Sequence, residues 1–523
     1  MDCKRITLRQ TGKFSDLFLD YLEGSNEALT AFYNYYPSLD SLKSQVEAKT
    51  NFPVQNRQVL VDVLQEQYQD VEAPEKVSAN INHLLDRKTF TVTTGHQLNI
   101  FTGPLYFIFK IITVINTCRQ LTEKYPKYHF VPVYWMASED HDFDEIDHVF
   151  MEGKKYQWKT EQVGPVGRFS TQGIEHILNA VPGMPDFFVK AYQESGSLAQ
   201  AGRSYVNHLF GEYGCIVVDG DDNRLKKLFS PIVEDDLISH SAEHLVATTS
   251  QKLDALGYKT QVFARQINHF YIQDGLRERI EKTGTSYEVL NTDIKFSKEE
   301  ILQELHQHPE RFSPNVILRP LYQETILPNI AYVGGPAEIA YWFQLKDLFD
   351  HFRLPFPLLM PRNFGAIISN KIQRKVQKTG LEWQDYFKEW QALERQITLA
   401  ESKEKVLLTS EMEEVKQLFE KVKEQAATID TTLVAHVEAQ LAKTCNRMEG
   451  IEKKFVRAKK RHHADTIRQV EEVVEAIMPH GTLQERKENF LPFYLHDPKL
   501  IANLMRCFDP LSFDFYLMMQ HGD

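Results

Sequence analysis

Thr89-Phe90-Thr91-Val92-Thr93-Thr94 is a run of β-branched and aromatic residues that stops at Gly95, as a buried strand does at its end. His96-Gln97-Leu98-Asn99 follows, and then Thr102-Gly103-Pro104. Here Thr102 is placed to cap a helix, and the proline falls in the first turn, where no amide hydrogen is required. Leu105, Ile108, Ile112 and Ile115 then recur at helical spacing. One short segment therefore reads as strand, polar turn and helix.

The same texture returns along the chain. Phe130 to Met136 is apolar and breaks into Ala137-Ser138-Glu139-Asp140-His141-Asp142, while Cys215-Ile216-Val217-Val218-Asp219 ends in another acidic turn. Ile330-Ala331-Tyr332-Val333 runs into Gly334-Gly335-Pro336-Ala337-Glu338 and a helix-like stretch through Trp342, and Pro357-Leu358-Leu359-Met360 is a last short strand. Apolar strands alternating with helices predict an α/β fold with a parallel sheet covered on both faces, whose ligands bind at the carboxyl ends of the strands. The polar clusters fall at those ends.

Two stretches, about 150–213 and 221–313, are too long for simple crossovers and read as insertions, with Val262-Phe263 and Phe270-Tyr271-Ile272 as candidates for a small β element. From about Glu394 to Met478 the chain becomes charged and poor in glycine. Leu408, Met412, Val415, Phe419, Val422 and Ala426 step by four and three residues, as do Val434, Val437, Leu441, Thr444, Met448, Ile451, Phe455 and Ala458. Asp430 is available to cap the turn between these runs, which predicts an antiparallel helical hairpin with apolar surface left for a second subunit. The phase slips by Ile467, Val470, Val474 and Ile477.

Composition narrows the function. At 523 residues the chain exceeds what one core usually supports, and 42% hydrophobic with 25% charged residues is ordinary for a folded globular protein. A formal charge of -12 carries no basic footprint for nucleic acid. Cys3, Cys118, Cys215, Cys445 and Cys507 form no C-x-x-C pair, so reduced, mostly buried thiols are expected and no zinc site is predicted. The first residues lack the apolar core of a secretory signal and no run approaches a membrane span, so the expected compartment is the cytoplasm.

Three clusters could carry chemistry. In the first, Gly95 permits close backbone approach, amides near Thr102 and Gly103 could meet phosphate or carboxylate, and His96, Gln97 and Asn99 could aim donors at the same place. An ordinary turn is the other reading. In the second, the carboxylates and imidazole of Ser138, Glu139, Asp140, His141 and Asp142 could bind Mg²⁺ through phosphates, orient an amine or act as general base; a solvated acidic loop is the alternative. In the third, Tyr332, Gly334, Gly335 and Glu338 repeat the glycine-before-helix pattern without being a Walker loop or a dinucleotide fingerprint. Arg319 and Arg362, each beside a proline at an expected strand end, could pair with phosphate or carboxylate, or form structural ion pairs. A basic stretch from Lys453 to Arg468 on the second coiled-coil helix reads most simply as a solvated face, and could otherwise attract a phosphorylated ligand.

Taken together, T-G-H-Q-L-N-I-F-T-G-P from Thr94 to Pro104, W-M-A-S-E-D-H-D from Trp135 to Asp142 and Y-V-G-G-P-A-E from Tyr332 to Glu338 resemble the bacillithiol cysteine ligase family, BshC, over essentially the full length, including L-Q-E-R from Leu483 to Arg486. The resemblance implies a Rossmann-like core with connecting-peptide insertions, similar to class I aminoacyl-tRNA synthetases, and a coiled coil that forms a homodimer. The implied organisation is 1–149 as the first part of the core with an N-terminal extension, 150–213 as first insertion, 214–220 as a core strand and 221–313 as second insertion. It continues with 314–390 completing the core, 391–478 as coiled coil and 479–523 packing on the core. The implied reaction joins the carboxyl of L-cysteine to the amine of glucosaminyl-malate, with ATP activating the carboxylate as an acyl-adenylate or acyl-phosphate. By that analogy His96 and the amides near Gly103 steady phosphates or carboxylate, while Asp140, His141 or Asp142 binds the amine and accepts its proton. The chain departs from the synthetases in having one histidine in Thr94-Gly95-His96-Gln97 and no K-M-S-K-S-like loop. A transferase or hydrolase acting on a pre-activated substrate, or a non-catalytic dimeric nucleotide-binding scaffold, remain the alternatives.

Overall fold

Five strands are parallel neighbours in the order Leu358–Pro361, Asn329–Gly334, Thr89–Gln97, His129–Ala137 and Ile216–Asp219. This is a computed structural model, which describes residues 2–400 and 407–520; residues 401–406, inside the expected coiled coil, lie outside the described residues. The sheet follows from the apolar runs. Phe90, Val92, Phe130, Ile330, Ala331 and Val333 are buried in one cluster with Val114, Cys118 and Leu121 of the helix Tyr106–Lys124. Tyr134, Met136 and Val217 belong to a second cluster, which includes Leu105, Ile108 and Ile112. Chain order reverses between Thr89–Gln97 and Asn329–Gly334, so the crevice beyond their carboxyl ends is the switch point where open α/β sheets bind ligands.

Both long insertions contribute further structure. The first holds the helices Asp186–Glu194 and Leu198–Phe210, while the hairpin of His148–Met151 with Lys154–Gln157 straddles its expected start at 150. In the second, helices Asn223–Ile238 and Ser241–Ala255 precede a five-stranded antiparallel sheet that contains His269–Gln273 and Leu276–Thr283. Phe270-Tyr271-Ile272 is in that sheet, but Val262-Phe263 is not: the Val262 amide is taken by the Gln344 side chain, and Phe263 is 80% exposed.

The chain ends hold strands that no alternation in sequence announced. Asp2–Thr7 pairs antiparallel with Asp514–Met519, beside Phe364–Ile368. That pairing brings Cys3 to the end of the helix Leu500–Cys507, and Cys3 and Cys507 form a disulfide with Cα atoms 6.1 Å apart, against the expectation of five reduced thiols. Cys118 and Cys215 are buried and unbridged.

The described chain divides into two compact units. One takes in 13–367 and 482–520, the other 368–481, each with a few residues near a terminus. The second begins with the helix Asn370–Thr379, which packs on Ala464–Ile477. It contains the antiparallel pair Thr409–Ile429 and Leu433–His462, joined by a turn in which the Asp430 carboxylate accepts from the Thr432 amide at 2.8 Å. The slip of phase is a break at His463, after which Ile467, Val470, Val473 and Ile477 form the buried face. Among the described residues no helix is long and apolar enough to cross a membrane.

Ile330 lies on the strand beside the switch point and has no exposed surface. Ile330→Ala should lower unfolding free energy by about 2–5 kcal/mol, the usual cost of truncating a buried aliphatic side chain. Denaturant titration with an unchanged midpoint would contradict this packing.

Candidate active site

The three polar turns converge on one cavity of about 590 Å³ at the carboxyl edge of the sheet. Gly95, His96 and Gln97 line it from the first turn, Glu139, Asp140, His141 and Asp142 from the second, and Tyr332, Gly335 and Glu338 from the third, with Arg362 beside them. Asn99, Thr102, Gly103, Ser138 and Gly334 are not part of its lining.

Local backbone explains those five. Thr102 is not a helix cap: Phe101 and Thr102 have φ of 49° and 71°, Gly103 follows at 63°, and the helix starts only at Tyr106. Asn489 holds this left-handed turn by donating to the Phe101 and Gly103 carbonyls at 2.7 and 2.5 Å, so the turn is buried in the core and not presented to a ligand. The Asn99 amide donates to the Glu145 carbonyl, and the Ser138 hydroxyl donates to Asp219. The Gly334 carbonyl accepts from the Arg362 amide. Arg319, expected at a strand end, instead opens the helix Arg319–Ile326 and reaches the cavity from there.

The second turn carries acidic residues of the cavity. Its backbone is clamped by the first insertion, where the Gly167 and Val166 amides donate to the Ser138 and Asp140 carbonyls, both at 2.7 Å. A side chain at Gly167 would meet Ser138 Cβ at 2.5 Å, so only glycine allows this approach. Burial would raise the Asp140 carboxyl, but hydrogen bonds from His141 and Gln97 and the Arg277 charge outweigh it and hold Asp140 well below the usual carboxylate range. Asp140 is therefore a fixed negative charge and a poor proton acceptor. Arg277 Nη1 also stands 2.5 Å from His141 Nδ1 and 3.4 Å from Asp140, so the guanidinium lies against both. Burial pushes the Glu139 carboxyl up, although Lys226 lies beside it.

On the opposite side Lys110, from the helix Tyr106–Lys124, donates to the Gly95 carbonyl at 2.7 Å and pairs with Glu338 at 2.6 Å. Glu338 also accepts from the Tyr332 hydroxyl at 2.6 Å and the Gly335 amide at 2.8 Å. Burial opposes the Glu338 charge, yet Lys110 and these donors keep its carboxyl below the usual range. Burial lowers the Lys110 ammonium. Burial, and then the Lys110 charge, lower His96 to about 3, leaving it a neutral imidazole stacked on Tyr106 with Nε2 unpartnered. Arg362 lies over Tyr106 and Phe364 and pairs with Glu485 at 2.6 Å.

Sequence reasoning missed Lys110, Tyr106, Arg277, Tyr341 and Arg486, all of which line the cavity. Lys110 did leave a signal, one cation inside the apolar run from Leu105 to Val114. Arg277 left none, because it arrives from an insertion through tertiary folding.

A parallel sheet of this order with charged groups gathered at its switch point defines a Rossmann-like α/β enzyme core. The chain belongs to the BshC family of bacillithiol biosynthesis: residues 1–363 match "Bacillithiol biosynthesis BshC, N-terminal Rossmann-like domain" and residues 365–520 match "Bacillithiol biosynthesis BshC, C-terminal coiled-coil domain". It is 42% identical over 514 residues to a protein of Cytophaga hutchinsonii named "Putative cysteine ligase BshC", covering 98% of each chain. Proteins of the same name from Flavobacterium johnsoniae and Salinibacter ruber are 41% and 31% identical, covering 99% and 94% of each chain.

The neutral His96 has a measurable signature. Unfolded imidazole takes up a proton near 6.5, whereas the folded one resists until about 3, so this contribution to stability is complete above 6.5 and is lost as pH falls toward 3. Urea unfolding across that window should show a steeper acid loss for the wild type than for His96→Asn. Parallel profiles would contradict a buried neutral imidazole.

Proposed function

We propose that this protein is the amide-forming ligase of bacillithiol biosynthesis, joining the carboxyl of L-cysteine to the amine of glucosaminyl-malate in the cytoplasm, where free cysteine and ATP are held. The observation that carries this reading is the gathering of both charge signs in the lining of one cavity. Arg319, Arg362 and Arg486 line it together with Asp140, Asp142 and Glu145, so an acid and an amine can be held together in one chamber. The relatives' printed name, cysteine ligase, supports the same chemistry.

A carboxylate does not condense with an amine in water unless its oxygen becomes a good leaving group, and ATP supplies that change when bound. The residues present fit a phosphate-bearing molecule: Arg319 Nη2 and Arg277 Nε are buried without a hydrogen-bond partner, and both side chains line the cavity. Arg319, Arg362 and Arg486 would hold the anionic groups, and neutral His96 would offer a hydrogen bond in place of charge. Among the described residues no group of three or more His, Cys, Asp or Glu side chains is arranged to hold a metal ion, so Mg²⁺ would be carried chiefly by the phosphates. Asp140 orients the amine by its fixed charge, and the proton leaves across the rim formed by Asp142 and Glu145.

The helical hairpin supports a homodimer. Leu418, Val422, Ile451 and Phe455 are 41–58% exposed on it, and these apolar side chains gain most from a second copy of the hairpin. Leu418→Glu with Phe455→Glu should halve the mass measured by sedimentation; a monomeric wild type, or a variant that stays dimeric, would reject this interface.

Purified protein supplied with L-cysteine, glucosaminyl-malate and ATP-Mg²⁺ should release thiol product and cleaved nucleotide together. Separate His96→Ala and Asp140→Ala variants should remain folded and lose at least tenfold in turnover, about 1.4 kcal/mol of transition-state stabilisation. Product without nucleotide cleavage would point to transfer from a pre-activated acyl donor, which the single histidine and missing K-M-S-K-S-like loop favour. Binding without turnover would make the protein a scaffold.

A further inference from the structure

Lys49 and Glu324 form an ion pair at 2.7 Å with side chains only 2% and 0% exposed. Neither lines the cavity. Two charges at that depth lose hydration that their attraction restores only in part, and a well-packed apolar pair is often as stable. Their position offers a reason for keeping them.

Glu324 Oε1 accepts from Gln323 Nε2 at 3.0 Å, and Gln323 Oε1 accepts from Arg319 Nη1 at 3.2 Å, one helical turn back. An amide between a carboxylate and a guanidinium has one satisfactory orientation, nitrogen to the acid and oxygen to the cation. Asn329 donates to the same Glu324 oxygen at 2.6 Å and accepts from Thr91 and Thr93 on the strand that carries Gly95. Arg319 then projects over the Tyr332 ring with Nη2 buried and unpartnered. A β-carbon at Gly95 would stand 3.7 Å from Arg319 Nη1 and 3.4 Å from the Tyr332 hydroxyl, so the Arg319 guanidinium closely fills the space beside the first turn.

We propose that Lys49, Glu324 and Gln323 are positioning residues whose buried hydrogen-bonded chain holds the Arg319 guanidinium fixed in the cavity as its grip on an anionic group of the substrate. This rests on the cavity being the substrate site, but not on which reaction occurs there. The three residues touch no substrate. They act by removing Arg319's rotational freedom before binding, which strengthens the grip without adding a contact.

Calorimetric titration of the full-length protein with L-malate and, separately, with inorganic pyrophosphate tests this without any turnover and distinguishes a carboxylate from a phosphate as the group held. Arg319→Gln should weaken the probe that binds by at least tenfold. Gln323→Leu alone, and Lys49→Met with Glu324→Leu, should each weaken it by about three- to tenfold while remaining folded by circular dichroism. Adding Gln323→Leu to Arg319→Gln should cause no further loss, since residues acting through one group are not additive. With substrates, Gln323→Leu, and Lys49→Met with Glu324→Leu, should raise KM and leave kcat within about twofold, whereas failure of the ligase assay with this pattern of probe binding intact would reject the reaction and keep the relay. Wild-type affinity in Gln323→Leu, losses that add to those of Arg319→Gln, or absence of Arg319-dependent binding of either probe would overturn the proposal.

Discussion

The Lys110 ammonium and the Glu338 carboxylate, 2.6 Å apart, tie the strand Thr89–Gln97 and the helix that follows it to a segment far along the chain. Lys110 holds the Gly95 carbonyl at the end of one strand, and Glu338 holds the Gly335 amide just past the end of its neighbour. These are the two strands between which chain order reverses, so the pair clasps the crevice from both sides. A buried lysine without its partner would be strongly unfavourable, and the helix carrying it could not rest against the sheet as it does. Placing His96 beside this cation has a second effect, because burial and the neighbouring charge together keep its imidazole neutral.

From that clasp the division of labour across the cavity follows. Glu338 is spent on Lys110, Tyr332 and Gly335, so Arg319, Arg486 and Arg362 remain as cationic groups lining the cavity, Arg362 sharing its charge with Glu485. Asp140 stays charged because Arg277, His141 and Gln97 surround it. The second insertion supplies Arg277, and the first insertion's Gly167 clamps the acidic turn. Segments that looked peripheral in sequence are thus walls and braces of the site.

The strand-and-turn units at Thr89, Phe130, Ile216 and Ile330 were legible because a parallel sheet buries both faces of each strand and leaves continuous apolar runs. The hairpin was legible from its heptads, including the turn at Asp430. Thr102 and Gly103 misled because their conformation is imposed by Asn489, almost four hundred residues away in sequence. The strands at the chain ends and the Cys3–Cys507 bridge escaped for a related reason: Asp2–Thr7 is a strand only because Asp514–Met519 lies beside it. Local pattern predicted which turns were polar, and long-range contacts determined which of their residues face the cavity.

Turnover and unfolding free energy measured for Lys110→Met, Glu338→Leu and the double variant test the central claim most directly. Each single variant leaves a charge without its partner and should be destabilised, while the double variant, with an apolar pair in the same space, should recover much of the loss. Turnover should stay low in all three, because no apolar pair can hold the Gly95 carbonyl or the Gly335 amide. A double variant that regained wild-type turnover would mean that the two strand ends need only packing between them, and the account of the site would fail.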